Sequence, residues 1–450
     1  MSHQPFAAII LAAGQGTRMR SSRAKVLHAL AGRPMIAHVG AAVGALAPGR
    51  IVVVTAKGMD QVAAAVPGAV AAVQDPPLGT GHAVLAAKPA LQGFDGDVMV
   101  LFGDTPLVTT ATMQAMLDAR TKGAAVVVLG FRPKDPAAYG RLVVGPGGLE
   151  RIVEFKDAKP EERAIGLCNA GVMLLEGAHA FALLEAIRND NAQREYYLTD
   201  VVGIARARGL ACAVVEGDAE EVLGVDSRAA LAGAEAILQR RLRAAAMAGG
   251  VTMIDPATVY LSHDTRLGRD VVIEPNVFFG PGVSIGDDVV IRAFSHLEKA
   301  TVANGATIGP FARLRPGTVL GEEAHIGNFV EVKAATVEAG AKVNHLTYIG
   351  DARVGPKANV GAGTITCNYD GFGKYHTDIG AGAFIGSNTA LVAPVKVGDD
   401  AIVGAGSTVT EDVPPGALTV VRGGKTEVQG GAERFRAKAR ARKAAQQKKG

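Results

Sequence analysis

Residues 271–285 read Val271-Val-Ile-Glu-Pro-Asn-Val-Phe-Phe-Gly-Pro-Gly-Val-Ser-Ile285, and their apolar pattern returns every six residues. Aliphatic or aromatic anchors fall at Leu267, Ile273, Phe279, Ile285, Ile291 and Leu297. After a slip of one residue they continue at Val302, Ile308, Leu314, Leu320, Ile326 and Val332. Further slips lead to Val337, Val343 and Ile349 and to Val354 and Val360, and an unbroken run closes the series from Ile379 through Ile385, Leu391, Val397 and Val403 to Val409. Four residues after an anchor stands a small or β-branched residue, as at Val271, Val277, Val283, Val289 and Ser295, and again at Ala383, Thr389, Val395, Ala401 and Ser407. Two inward positions in every six, with Gly or Pro near the corners, describe a parallel β-helix in which three short strands make one turn of about 18 residues. A β-sandwich would need polar turns every ~8–12 residues and strict apolar/polar alternation.

The rest of the 450-residue chain is long enough for at least one more domain. With 48% hydrophobic and 20% charged residues the chain is too apolar to be generally disordered. Its 57 glycines follow no three-residue period, which excludes collagen and points to many tight corners. No run of 18 apolar residues exists to span a membrane. The net charge of +4 is a property of the tail: Arg434 to Lys449 carry eight basic side chains and no acidic one, leaving 39 basic against 43 acidic residues elsewhere. A mildly acidic body predicts no nucleic-acid partner, and the tail reads as a solvated arm, with RNA or acidic lipid as the alternative contact. Cys168, Cys212 and Cys367 have neither CxxC spacing nor an even count, the usage of reduced thiols in a cytoplasmic protein. The apolar run Phe6 to Ala13 has no preceding Lys or Arg and enters a Gly-rich loop directly, unlike a secretory leader.

Before the repeats, strand-length apolar runs (Phe6 to Leu11, Ile51 to Thr55, Ala69 to Val73, Val98 to Phe102, Ala124 to Leu129) alternate with Ala-rich stretches of helical length. That alternation predicts a Rossmann-like α/β domain, helices on a mostly parallel sheet, over 1–226. Leu231, Ala234, Leu238, Leu242 and Ala245 then recur at helical spacing between Ser227, a possible N-cap, and Gly249-Gly250, predicting a connecting helix over 227–248. The β-helix would occupy 249–425 and the basic tail 426–450.

Leu11-Ala-Ala-Gly-Gln-Gly-Thr-Arg-Met19 follows the first strand directly. Gly14 and Gly16 let backbone N–H groups approach phosphate oxygens, and a helix N-terminus is expected next. Met19 stands where the third Gly of a dinucleotide fingerprint belongs, and the Gly-Lys-Ser/Thr ending of a Walker loop is absent, which leaves a ligand-free turn as the other reading. Phe102-Gly103-Asp104 lies at the carboxyl end of a predicted strand, where open α/β sheets bind ligands. Asp104 is a candidate Mg²⁺ ligand, because Mg²⁺ takes one or two carboxylates beside phosphate oxygens. In the β-helix, Arg315 and Lys333 each follow an inward anchor one turn apart and should stack at about 4.8 Å. Their repulsion would be relieved by an anion such as a sugar phosphate, or by splaying into solvent. His345 and Tyr348 point outward.

The Gly-rich loop, continuing to Lys25, resembles the signature of the sugar-nucleotidyltransferases, with Ala24 where that pattern usually has Pro. The six-residue repeats resemble the left-handed β-helix of hexapeptide acyltransferases, and the handedness is taken from that resemblance. Together with Gln74, Leu78-Gly-Thr-Gly-His-Ala83, Tyr139-Gly-Arg141, Ile152 to Ala158, Asn169-Ala-Gly171 and Glu195 to Asp200, they resemble the bifunctional N-acetylglucosamine-1-phosphate uridylyltransferase/glucosamine-1-phosphate acetyltransferase family over nearly the whole chain. The resemblance implies UTP bound by Leu11, Ala12, Ala13, Gly14, Lys25, Gln74, Gly79 and Thr80. It implies the sugar held by Gly140, Glu154, Asn169 and Thr199, with Arg18 and Lys25 in catalysis and Mg²⁺ on Asp104 and Asp226. Asp226 stands where the family usually has Asn, and capping the connecting helix is its rival role.

In the second half, Asn344 to Gly350, Gly361-Ala-Gly363 and the insertion Thr366 to His376 carry the same resemblance. It implies His345 as catalytic base, Arg315, Lys333, Tyr348 and Asn359 on glucosamine 1-phosphate, and Ala362, Asn368, Tyr369, Ser387, Ala405 and Arg422 on acetyl-coenzyme A. The expected protein is a cytoplasmic enzyme, trimeric by the resemblance, that uses acetyl-coenzyme A and UTP as co-substrates and small sugar phosphates as substrates.

Overall fold

The computed structural model describes residues 4–14, 16–191, 193–421 and 427–447. The chain forms two compact units, Met1–Leu238 and Gln239–Gly450.

In the first unit a mixed sheet runs in the order Cys212–Glu216, Val126–Phe131, Cys168–Leu175, Asp97–Phe102, Phe6–Leu11, Arg50–Ala56, Val70–Gln74. Only Cys168–Leu175 runs against both its neighbours along that path. A hairpin of Arg141–Gly145 and Gly148–Val153 joins through Cys168. The first strand explains the unbroken apolar run Phe6 to Leu11. Ala7, Ile9 and Leu11 enter one core, Phe6, Ala8 and Ile10 the other, and all six are buried because helices cover both faces. The helix expected after the Gly-rich loop is absent. Thr17–Met19 is a single 3-10 turn ended by Arg20 at φ 47°, and Lys25–Leu27 is a second. The first full helix is Met35–Gly44. Arg20-Ser-Ser-Arg23 offers no apolar period to pack, so no helical face would be buried there.

The connecting helix is Arg228–Ala248. Ser227 Oγ accepts from the Ala230 N–H at 3.2 Å, so Ser227 caps it and Asp226 does not. Ala230, Leu231, Ala234, Ile237 and Leu238 pack with Leu30, Met35, Leu107 and Val225, whereas Leu242 and Ala246 pack on the core of the second unit.

That second core is the six-residue period made solid. Strands of two to four residues form three all-parallel sheets of ten, eight and eight strands, the walls of a β-helix. Every anchor from Ile273 to Val409 is buried, as are the small residues named above from Val271 to Ser295 and from Ala383 to Ser407. Adjacent coils pair at 18 residues, as in Val272↔Val290, or at 17, as in Val290↔Thr307, which accounts for the slips in the period. Across the insertion the separation rises to 25 on every wall, in Asn359↔Phe384, Ile365↔Ala390 and Ala352↔Thr377. Thr366 and Cys367 stay in the wall as the end of the strand Ile365–Cys367, and the seven extra residues, 369–375, are extruded at one corner without disturbing the stack. The basic tail, read as an arm, forms the helix Gly431–Gln447, and between 431 and 442 its side chains are exposed apart from Ala439, which is buried, and Gly431, which is half-buried. Among the described residues no helix is long and apolar enough to cross a membrane.

Candidate functional site

In the first unit the strand order reverses at Phe6–Leu11, which lies between Arg50–Ala56 and Asp97–Phe102 with both parallel to it. Loops leaving the two strand ends must diverge there and open a crevice. A cavity of about 290 Å³ occupies it. Leu11, Ala12, Ala13, Gly14, Lys25, Gln74, Gly79 and Thr80 all line it, with Asp104. No atom lies within 4 Å of where a Cβ on Gly14 would stand, so the loop leaves open space at that point. Gly16 is needed for another reason: its φ is +62°, and an added Cβ would fall 2.5 Å from Cβ of Lys25, forcing the lysine out of the cavity wall.

The Gln74 side chain is buried, and its amide nitrogen contacts the Gly79 carbonyl at 2.9 Å and His82 Nδ1 at 3.2 Å. Among the described residues its oxygen accepts no hydrogen bond. Gly79, at φ +107°, passes under the Tyr196 backbone, whose oxygen would be 2.7 Å from a Cβ. Thr80 Oγ1 accepts from the Leu198 N–H at 3.0 Å.

A second cavity, about 280 Å³, shares Thr80 and Glu195 with the first and is lined by Glu154 and Thr199. Thr199 Oγ1 donates to Glu154 Oε1 at 3.2 Å, the Asn169 N–H donates to the Gly140 carbonyl at 2.9 Å, and a Cβ on Gly140 would be 3.5 Å from the Glu154 carboxylate. The four residues assigned to the sugar thus stand together. Burial pushes the Glu154 carboxyl up, the Thr199 hydroxyl opposes that, and the Asp157 carboxylate adds to it.

Of the two residues assigned to Mg²⁺, Asp104 accepts at its backbone carbonyl from the Val225 N–H at 2.8 Å, which draws the segment carrying Asp226 alongside it. Each holds a cation of the chain. Lys25 pairs with Asp104, and Arg18, which is largely exposed, pairs with Asp226 at 2.5 Å. Asp104 lines the cavity and Asp226 does not; a cavity carboxylate, with Asp226 supplied by the adjoining segment, suits a hard divalent ion whose remaining ligands are phosphate oxygens and water. Among the described residues no group of three or more His, Cys, Asp or Glu side chains is placed to hold a metal.

In the second unit one corner of the β-helix carries His345, Ala362, Ser387 and Ala405 on successive coils. The Gly363 N–H donates to the His345 carbonyl at 3.2 Å, Asn388 to Ala362 at 2.7 Å and Gly406 to Ser387 at 2.8 Å. His345 is exposed, and its Nδ1 contacts Asn328 Oδ1 at 2.8 Å from the preceding coil. In the tautomer in which this amide oxygen accepts, Nδ1 carries the hydrogen and Nε2 is the acceptor nitrogen. The Ala362 N–H makes no hydrogen bond among the described residues. Past this corner, Tyr348 opens the wall on which Lys333 also lies, with Arg315 one coil before Lys333, while Asn359 is on the preceding wall.

Arg315 and Lys333 do stack on adjacent coils, and carboxylates of the chain, which the sequence reading did not foresee, already relieve their repulsion. Arg315 pairs with Glu331 at 2.7 Å and Lys333 with Asp351 at 3.2 Å. The bond to Glu331 raises Arg315 above its ordinary value. Lys374, from the insertion, reaches Lys333, whose proximity lowers it. Asn368 is buried at the root of that insertion, Tyr369 is exposed beside it, and Arg422 lies outside the described residues. Sequence reading missed Asn328, Glu331, Asp351 and Lys374. Asn328 was within reach of it, 17 residues before His345 and hence one coil back; the insertion obeys no period, so Lys374 was not.

Residues 8–197 match the model of the MobA-like NTP transferase domain, and 264–299 and 376–411 match the bacterial transferase hexapeptide (six repeats). The chain is 60% identical over 446 residues to the bifunctional protein GlmU of Paramagnetospirillum magneticum, covering 99% of both chains. It is 63% identical over 433 residues to that of Rhodospirillum rubrum, covering 96% of this chain and 97% of the other, and 58% identical over 450 residues to that of Sphingopyxis alaskensis, covering 99% and 100%. Matches of this identity over essentially the full length, spanning both cavities and the His345 corner, place the chain in the bifunctional GlmU family.

Proposed function

We infer that this chain is a bifunctional enzyme of UDP-N-acetylglucosamine synthesis. It acetylates glucosamine 1-phosphate with acetyl-coenzyme A, then couples N-acetylglucosamine 1-phosphate to UTP and releases pyrophosphate. The observation that carries the reading is that one chain holds both a cavity lined by all eight residues assigned to UTP and an outward histidine whose Nδ1 faces an amide oxygen.

For acetyl transfer, His345 Nε2 takes the proton as the amine attacks the thioester, the tetrahedral intermediate collapses by breaking the C–S bond, and the proton passes to the departing coenzyme A thiolate, while Asn328 holds the imidazole by its other nitrogen. The Ala362 N–H is free to donate to the tetrahedral oxyanion. Arg315, Lys333, Tyr348 and Asn359 would bind the sugar phosphate; Asn368, Tyr369, Ser387, Ala405 and Arg422 would bind acetyl-coenzyme A. A phosphate dianion competes with Glu331 and Asp351 for its two cations, so it is exchanged into the site rather than added to bare charge.

For uridylyl transfer, the Gln74 oxygen matches the N3–H of uracil, and Gly79 and Thr80 complete the base pocket. Gly140, Glu154, Asn169 and Thr199 orient the sugar so that its phosphate attacks the α-phosphate in line. Lys25 and Arg18 would leave their carboxylates to neutralise the phosphates. Bound by Asp104 and Asp226, Mg²⁺ would screen the charge of the phosphate oxygens. The reading includes a cytoplasmic homotrimer, since outward sites on a β-helix wall gain a second wall from a neighbouring copy. Assaying the purified protein for each reaction separately tests it: absence of either activity would refute the bifunctional reading.

A further inference from the structure

We propose that Asp351 is a positioning residue that couples the two halves of the acetyl-transfer site, an inference that rests on the reading of the β-helix just given. One carboxylate oxygen of Asp351 serves both halves. Oδ2 accepts from Lys333 Nζ at 3.2 Å on the sugar-phosphate side and from the amide nitrogen of Asn368 on the acetyl-coenzyme A side. The backbone fixes where that carboxylate stands. Asp351 occupies a corner at φ 47°, its N–H donating to the Lys333 carbonyl at 3.0 Å and its carbonyl accepting from the Thr377 N–H at 3.2 Å. It is stacked between the coil that carries the phosphate cation and the coil that resumes after the insertion.

The insertion is built as a unit on Asn368. The Asn368 carbonyl accepts from the Tyr375 N–H at 2.9 Å and closes its neck, Tyr369 pairs with Lys374 across it, and Asp370 Oδ1 accepts from the Phe372 and Gly373 N–H groups at 2.9 and 2.8 Å. Asn368 is buried, so a carboxamide that lost its acceptor would be left unsatisfied and the neck would shift. Asp351 also offsets the two ammonium groups of Lys333 and Lys374, which would otherwise push the insertion away. Drawing Lys333 toward a phosphate changes the load on the same oxygen that holds Asn368. Occupancy of the sugar-phosphate subsite is thereby relayed to Tyr369, and the two co-substrates should bind cooperatively.

A role as simple counter-ion predicts something different. Freed of Asp351, Lys333 would bind a phosphate dianion better, and acetyl-coenzyme A would be unaffected. The test varies each co-substrate at several fixed levels of the other in the full-length protein, for wild type, Asp351→Asn, Asp351→Glu and Glu331→Gln, with uridylyl transfer as the measure of folded protein. Coupling predicts that Asp351→Asn raises KM for acetyl-coenzyme A about tenfold with kcat within about threefold, abolishes the dependence of that KM on glucosamine 1-phosphate, and is partly rescued by Asp351→Glu. Glu331→Gln, which removes the partner of Arg315 and bonds to nothing in the insertion, should change only the sugar-phosphate KM. A lowered sugar-phosphate KM with acetyl-coenzyme A unchanged in Asp351→Asn, or an equal acetyl-coenzyme A effect in Glu331→Gln, overturns the proposal. Wild-type protein that transfers no acetyl group would instead refute the underlying reading.

Discussion

Asn328 and His345 face each other on adjacent coils, the amide oxygen of one 2.8 Å from Nδ1 of the other. The contact leaves Nε2 as the basic nitrogen without giving the ring a carboxylate partner. Asn328→Ala should therefore lower kcat for acetyl transfer by about 10-fold or more, by releasing ring orientation and tautomer, and leave KM nearly unchanged. Asn328→Asp should move the acidic limb of the kcat/KM profile to higher pH, since a carboxylate favours the imidazolium. A pH profile identical to wild type would remove Asn328 from this role.

Gly79 admits no side chain. Its φ of +107° is unfavourable for any L residue, and a Cβ would press on the Tyr196 oxygen. Gly79→Ala should displace the carbonyl that holds Gln74 and raise KM for UTP by about tenfold or more, with acetyl transfer intact. Direct nucleotide titration checks this, and unchanged affinity would contradict the placement of the base.

Glu154 trades stability for binding. Burial raises its carboxyl in the folded chain, so its ionised form is unfavourable at pH above that raised value, and the cost fades as the pH falls through it toward the ordinary glutamate range. Glu154→Gln should raise Tm at neutral pH, lose that advantage in acid, and raise KM for N-acetylglucosamine 1-phosphate about tenfold. Thermal melts across pH with sugar-phosphate kinetics give both signs; a lower Tm at neutral pH would show that the charge is compensated.

Ala24 occupies φ −53° and ψ 136°, which proline adopts freely. Ala24→Pro should thus be accommodated, stabilise the first unit by about 0.4–1 kcal/mol through the unfolded chain, and keep uridylyl transfer. A fall in Tm would show that Arg23 or the Ala24 N–H is otherwise engaged.

The parts of this molecule that could be read from its sequence are those where burial imposes a period or a strand end imposes a place. Ile273 to Val409 had to face inward at every sixth residue or lose a wall, and Leu11 and Phe102 had to end side by side for Asp104 and the Gly-rich loop to share a crevice. The pairings on outward faces were hidden because no repeat constrains them. Lys25 with Asp104, Arg315 with Glu331 and Asp351 with Asn368 are each decided by which neighbour a free side chain reaches. The helix expected after the Gly-rich loop failed because Thr17 to Arg23 has no apolar face to pack, although Met19 is buried singly.

Two chemistries on two separate sites of one chain call for reciprocal loss. Asp104→Asn and His345→Ala, each assayed for both reactions in the same preparations, test this most directly. Asp104→Asn should suppress UDP-N-acetylglucosamine formation and leave acetyl transfer within about twofold of wild type, because Asp104 lines only the nucleotide cavity. His345→Ala should slow acetyl transfer about 10²- to 10⁴-fold in kcat and spare uridylyl transfer. If both activities fall together in either variant, or if His345→Ala keeps its kcat and changes only KM, the sites are not those assigned here.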